Sequence, residues 1–290
     1  MVGETTLKLV TFATQGGRQV GLLDGTSVIP IPGATDMVAL LKQPLPSHIT
    51  SLTPPEDRNV LPVDRTRLLA PIPRPPKIIG VGLNYRDHAQ ETGQALPKAP
   101  ILFSKAPTAV IGPRQAIVIP RVSQQVDYEV ELGVVMGVGG RFIPEEEALS
   151  HVAGYTVFND ISARDFQFRD GQWFRGKSFD TFAPMGPCLV LRDQLPNPQN
   201  LRLRLRVNGR TRQDGTTANM VFSVAQLIAD ISHGIALEPG DVIATGTPAG
   251  VGFVTKPKPV FLQPGDVVEA EIEGIGVLRN PVVAESSSKG

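Results

Sequence analysis

Turn formers set the first constraint on this chain. Glycine (29) and proline (27) together fill 56 of 290 positions, against roughly 35 expected from average usage. Proline removes a backbone donor and glycine carries a high entropic cost inside a helix, so this density disfavours long helices. It selects many short strands joined by tight turns. Hydrophobic residues make up 41% and charged residues 19% of the chain, enough apolar side chain to exclude a disordered polymer. The length fits one large domain, or a main domain with a small companion.

Charge and cysteine content narrow the function classes. Twenty-eight basic and 28 acidic residues balance to a formal net charge of zero, so nothing global favours nucleic acid or an anionic membrane as a partner. The single cysteine, Cys188, forms no intrachain disulfide and supports neither a four-cysteine zinc site nor a redox pair. Its setting between Pro187 and Leu189 suits a buried small hydrophobe. The first residues lack a basic segment followed by an apolar one, and no apolar run approaches membrane-spanning length. These features predict a cytoplasmic location, or a mitochondrial one if a transit peptide has been removed.

Along the chain, residues 7 to 30 alternate apolar stretches with Gly16-Gly17 and Asp24-Gly25, the pattern of antiparallel hairpins. Asp36 is placed to cap a short helix starting at Met37. Seven prolines between Pro54 and Pro76 read as an extended linker. We therefore expect a small N-terminal β-rich domain with its linker over residues 1–70 and a larger domain over 71–290. In the latter, 77–83, 100–104, 116–119, 127–136 and 154–159 read as strands, and 86–92, 144–151 and 223–232 as helices. Arg202, Arg204 and Arg206 share one face of an alternating strand, which predicts a solvated or subunit-facing surface. The repeated Pro-Gly-Asp at 239–241 and 264–266 marks turns. The fold class expected is β-rich mixed α/β, not a doubly wound nucleotide binder.

The segment Val126 to Val135 carries Asp127, Glu129 and Glu131 at a spacing of two, which on one strand places all three on one face. Three adjacent carboxylates repel, and a hard divalent cation relieves that cost. A solvent-facing strand edge accounts for the same pattern. A second strand end delivers Asp160, and a hairpin-like return brings it opposite Glu129 and Glu131. Lys177 follows in an aromatic and glycine-rich setting, although most lysines are solvated. In Asn84 to Gly93, one or two helical turns place His88 and Glu91 on one face, where Glu91 can orient the imidazole and raise its basicity; such pairs are also common on ordinary surface helices. Gly80-Val81-Gly82 lacks the third glycine of a dinucleotide fingerprint, and Gly246 to Val251 lacks the Lys-Ser/Thr of a phosphate loop. Both read as backbone approached closely near a site. His151 and His233 read as structural.

Four blocks in order, Glu129-Val130-Glu131, Asn159 to Asp165, Gly176 to Phe182 and Thr245 to Gly252, resemble the fumarylacetoacetate hydrolase superfamily. The likeness runs from about residue 77 to 280 and is strongest to the branch with domain-containing protein 2 and bacterial 2-oxo acid hydrolases. It implies a mixed β-sandwich roll, a homodimer, and Mg2+ or Mn2+ held by Glu129, Glu131 and Asp160. It further implies Lys177 as the active-site lysine, Arg164, Gln167 and Thr247 as substrate contacts, and His88 with Glu91 as a catalytic pair on a lid.

Three carboxylates and a divalent ion sum to a net charge of about minus one and leave positions for a chelating 2-oxo acid. The expectation is a metal-dependent hydrolase that cleaves a carbon–carbon bond in a 2,4-dioxo (acylpyruvate-type) acid through a pyruvate enolate. The same enolate serves an oxaloacetate keto–enol tautomerase or decarboxylase. A silent scaffold that keeps the fold is a third reading, which the intact carboxylates, lysine and His-x-x-Glu pair oppose.

Overall fold

In a computed structural model the described residues are 7–42 and 60–286. Part of the proline-rich segment, residues 54–59, lies outside them. The elements are short, as the turn formers dictate. The chain opens with β1 (Lys8–Thr14), β2 (Gly17–Asp24), β3 (Ser27–Pro30) and α1 (Met37–Leu41), followed by β4 (Leu61–Pro62) and β5 (Leu68–Leu69). Next come β6 (Ile78–Gly82), α2 (Arg86–Thr92), β7 (Ile101–Lys105), β8 (Val110–Ile111), β9 (Ile117–Ile119), β10 (Val126–Asp127) and β11 (Val130–Met136). The middle holds α3 (Glu145–Ala148), β12 (Val152–Asn159), β13 (Ser162–Ala163), α4 (Arg164–Asp170), α5 (Phe174–Lys177) and β14 (Ala183–Leu191). The chain closes with β15 (Arg202–Val207), β16 (Arg210–Thr216), α6 (Val224–Gly234), β17 (Val242–Ala244), β18 (Val267–Ile272) and β19 (Gly276–Ala284).

The main path of the large sheet runs β4-β3-β2-β1-β14-β12-β11-β17-β6-β7, and a five-stranded sheet runs β16-β15-β18-β19-β9. This is the strand-rich mixed fold expected. The hairpins foreseen over residues 7–30 are β1 to β3. β1 also pairs with β14 through Lys8↔Val190 and Leu9↔Leu189, so the sheet continues across residue 70. Leu132, Val134 and Met136 face one core cluster together with Leu203, Leu205 and Ala270 of the five-stranded sheet, while Val135 faces a second cluster with Val242 and Leu189. Two-residue alternation thus buries both faces of the central strands.

Local chemistry follows the sequence in several places. Asp36 accepts from the Ala39 N–H, and Ser223 with Gln226 forms a reciprocal cap on α6. Cys188 is buried, and burial pushes its thiol up to about 12. The three arginines of β15 meet acids, with Arg202 on Asp214 and Arg206 on Glu271.

One reading is corrected. The segment from 127 to 136 is not one strand: β10 ends at Asp127, pairs with β13, and leaves Tyr128 and Glu129 outside both ladders before β11 begins. Asp127 therefore turns away from Glu129 and Glu131. Its carboxylate accepts the backbone N–H groups of Gly252 and Phe253 and the Arg164 Nε, partners that satisfy it better than a face shared with two like charges.

Candidate active site

The antiparallel pairing of β11 with β12 sets the register that builds the site. Val130 faces Asn159, and the Asp160 N–H donates to the Glu129 carbonyl at 2.9 Å, which brings Asp160 beside the two glutamates. One carboxylate oxygen from each of Glu129, Glu131 and Asp160 lies within 4.8 Å of the others, and all three residues are buried. The hairpin return anticipated from sequence is what assembles them.

Cations surround this cluster unevenly. The Lys177 ammonium donates to Glu129 Oε2 and Asp160 Oδ2, each at 2.6 Å. Arg164 spans Asp127 at 2.9 Å, Glu129 at 2.6 Å and the Gln167 side-chain oxygen at 2.9 Å. A second lysine, Lys105, is fully buried and bonds Asp160 Oδ1 and the carbonyls of Ile161 and Lys177. Glu131 makes none of the ion pairs among the described residues; Gly246 supplies an N–H at 2.9 Å.

The electrostatics track this asymmetry. Burial acts to raise the Glu129 carboxyl, but Arg164 and Lys177 outweigh it and hold it below the usual range. Burial, with Asp160 and Glu129 as like-charged neighbours, pushes Glu131 well above its ordinary value. Burial acts to lower Lys177, and Asp160 and Glu129 reverse it, so the ammonium is retained. Burial wins at Lys105, which is lowered. Three hard oxygen donors, one of them lacking a cation, are the donor set that Mg2+ or Mn2+ takes.

Helix α2 closes over this cluster. It runs from Arg86 to Thr92 and ends at Gly93, whose left-handed φ of 69° suits glycine. The imidazole Nδ1 of His88 lies 3.3 Å from Glu91 Oε2, and Glu91 Oε1 accepts the Gly250 N–H at 2.9 Å. Glu91 thus ties the helix to the loop that carries Thr247. Thr247 Oγ1 accepts from Gln213 at 2.7 Å and donates to the Val130 carbonyl at 2.9 Å. His88, Glu129, Glu131, Asp160, Arg164, Gln167, Lys177 and Thr247 all line one cavity of about 100 Å³, with Glu91 behind His88. The sequence reading did not single out Lys105, Gln213, Phe103 or Trp173. Alternation along β7 puts Ile101, Phe103 and Lys105 on one face, but the burial of Lys105 depends on partners remote in the chain.

Residues 77–283 match the family model described as fumarylacetoacetate (FAA) hydrolase C-terminal. The chain belongs to the fumarylacetoacetate hydrolase family. It is 50% identical over 226 residues to an oxaloacetate tautomerase of Bos taurus, FAHD2A, named as mitochondrial, covering 77% of this chain and 72% of the relative. The structure of a fumarylacetoacetate hydrolase from Exiguobacterium antarcticum superposes with a TM-score of 0.86 at 39% identity, covering 97% of this chain and all of the other. A 2-hydroxyhepta-2,4-diene-1,7-dioate isomerase from Mycobacterium marinum superposes at 0.78 with 34% identity and the same coverage. This family member is an enzyme with a mixed α/β, strand-rich fold, and its buried acidic triad could hold a metal ion.

Proposed function

We propose that this enzyme interconverts the keto and enol forms of oxaloacetate with the help of Mg2+ or Mn2+. The observation that carries the reading is the convergence of the acidic triad and His88, backed by Glu91, on one cavity. The 50% identity to an oxaloacetate tautomerase supports it.

Glu129, Glu131 and Asp160 would hold the metal, which supplies Lewis-acid polarisation of the 2-oxo group and charge for the developing enolate. His88 exchanges the proton at C3. Its Nδ1 is turned to Glu91, so Nε2 remains for the substrate, and the carboxylate favours the imidazolium that forms when the proton arrives. Lys177 adds a retained positive charge beside the same oxygens. Arg164 and Gln167 receive a substrate carboxylate. Arg164 spends Nη1 on the Gln167 oxygen, which leaves the Gln167 amide N–H groups to donate. Thr247 contributes its hydroxyl once it releases the Val130 carbonyl.

The second reading is hydrolysis of an acylpyruvate-type 2,4-dioxo acid, favoured by the same dyad, since an imidazole backed by a carboxylate also deprotonates water. Decarboxylation of oxaloacetate is the variant without water attack. One assay separates them. Decay of the oxaloacetate enol absorbance is followed together with pyruvate formation, and then an acylpyruvate replaces oxaloacetate. Tautomerisation predicts faster enol decay with no matching pyruvate, whereas pyruvate from the acylpyruvate alone would support hydrolysis and overturn the first reading. We also propose a homodimer, supported by the apolar edge at Ile101 (39% exposed) and Leu102 (37% exposed). For location we propose the cytoplasm or, as the name of the Bos taurus relative supports, the mitochondrion.

A further inference from the structure

We propose that Phe103 and Trp173, seated on a glycine shelf formed by Gly80 and Gly82, are the specificity-determining wall that limits substrate length. The inference rests on the reading of the cavity as a 2-oxo acid site and adds the residues that select among such acids.

Gly80 and Gly82 are alternate residues of β6 and so present the same face. Phe103 is directly opposite Gly80 across the β6–β7 ladder, and its ring lies so close that a Cβ on Gly80 would stand 2.2 Å from it. Trp173 covers Gly82 in the same way: a Cβ there would stand 2.4 Å from the indole. Only glycine admits both rings. The rings meet edge to face with centroids 5.4 Å apart, a favourable aromatic geometry.

This wall touches the charged floor of the cavity. The Lys177 ammonium lies 5.0 Å from the centroid of the Phe103 ring. The Lys177 backbone N–H donates to the Trp173 carbonyl at 3.0 Å, so the two residues are one helical turn apart. Both reach the cavity, as do Gly82 and Phe103. A 2-oxo acid anchored by its carboxylate and keto group at the triad and Lys177 points its remaining carbons toward the other walls. The aromatic pair bounds that space with rigid rings that cannot shorten. Trp173 is also the only tryptophan of the chain, so its emission reports on the cavity alone.

Straight-chain 2-oxo acids from pyruvate to 2-oxohexanoate test the wall by binding to the Mg2+-loaded enzyme. Quenching of the lone tryptophan serves for the unaltered protein, and calorimetry serves for it and its variants. Affinity is expected to fall about tenfold or more where the chain first meets the indole, a usual discrimination for one methylene. Trp173→Leu removes that fall, and Gly82→Ala, whose methyl would stand 2.4 Å from the indole, displaces the ring and changes the acid length at which the fall occurs. An unchanged length profile in Trp173→Leu overturns the proposal, even if Gly82→Ala does not fold. Because binding is read without turnover, a length limit abolished by Trp173→Leu upholds the wall even where oxaloacetate is not tautomerised, a result that rejects the proposed reaction alone. Tautomerase activity with an unchanged profile rejects the wall alone.

Discussion

Glu131 is where the site's charge is least compensated. It is buried beside two other carboxylates and makes none of the ion pairs among the described residues, so burial and its like-charged neighbours raise its carboxyl well above the ordinary range and favour the protonated form. A divalent cation needs the carboxylate and must displace that proton, so affinity rises with pH up to the raised value of Glu131. Titration with Mn2+ in buffers of different ionisation enthalpy is expected to show net proton release on binding. Glu131→Gln removes the release and weakens binding about 10-fold to 100-fold. Proton-neutral binding in the unaltered protein would contradict this account of Glu131. At this scale the sequence was informative for groups repeated at short range, such as Glu129 and Glu131 or His88 and Glu91. It misled at Asp127, whose partners at Arg164, Gly252 and Phe253 are remote in the chain.

Helix α2 and strand β7 carry two sides of the site. The boundaries of α2 were legible because Gly93 closes a helix whose histidine and glutamate share a face. Glu91 holds both the imidazole and the Gly250 N–H, one carboxylate oxygen to each. Glu91→Gln keeps the shape and the acceptor for Gly250 but removes the charge behind His88. It is expected to lower kcat about 10²-fold with little change in KM and to shift the pH–rate profile, as loss of support to a general base does. A large rise in KM with an unchanged profile would make Glu91 a lid latch only. On β7, alternation was readable, but the burial of Lys105 was not, because its partners Asp160, Ile161 and the Lys177 carbonyl come from a segment more than 50 residues away.

For the whole molecule, the abundance of turn formers correctly implied short strands, and the order of those strands is what escaped. β17 lies parallel to β6, and β19 lies parallel to β9. Such pairings join segments far apart in the chain, and no local pattern encodes them. The same long-range closure brings Gly246, Thr247 and Gly250 against the β11 hairpin and α2, completing one cavity whose lining residues lie between Val81 and Phe253. In the proposed reaction this cavity removes and restores a proton at C3 of a 2-oxo acid. Solvent-deuterium exchange at C3 of oxaloacetate, followed by NMR with Mg2+ present, tests it most directly. The account predicts exchange by the unaltered enzyme that falls about 100-fold or more in His88→Asn and is lost when the metal is chelated. Exchange that persists unchanged in His88→Asn, or in the presence of chelator, would contradict it.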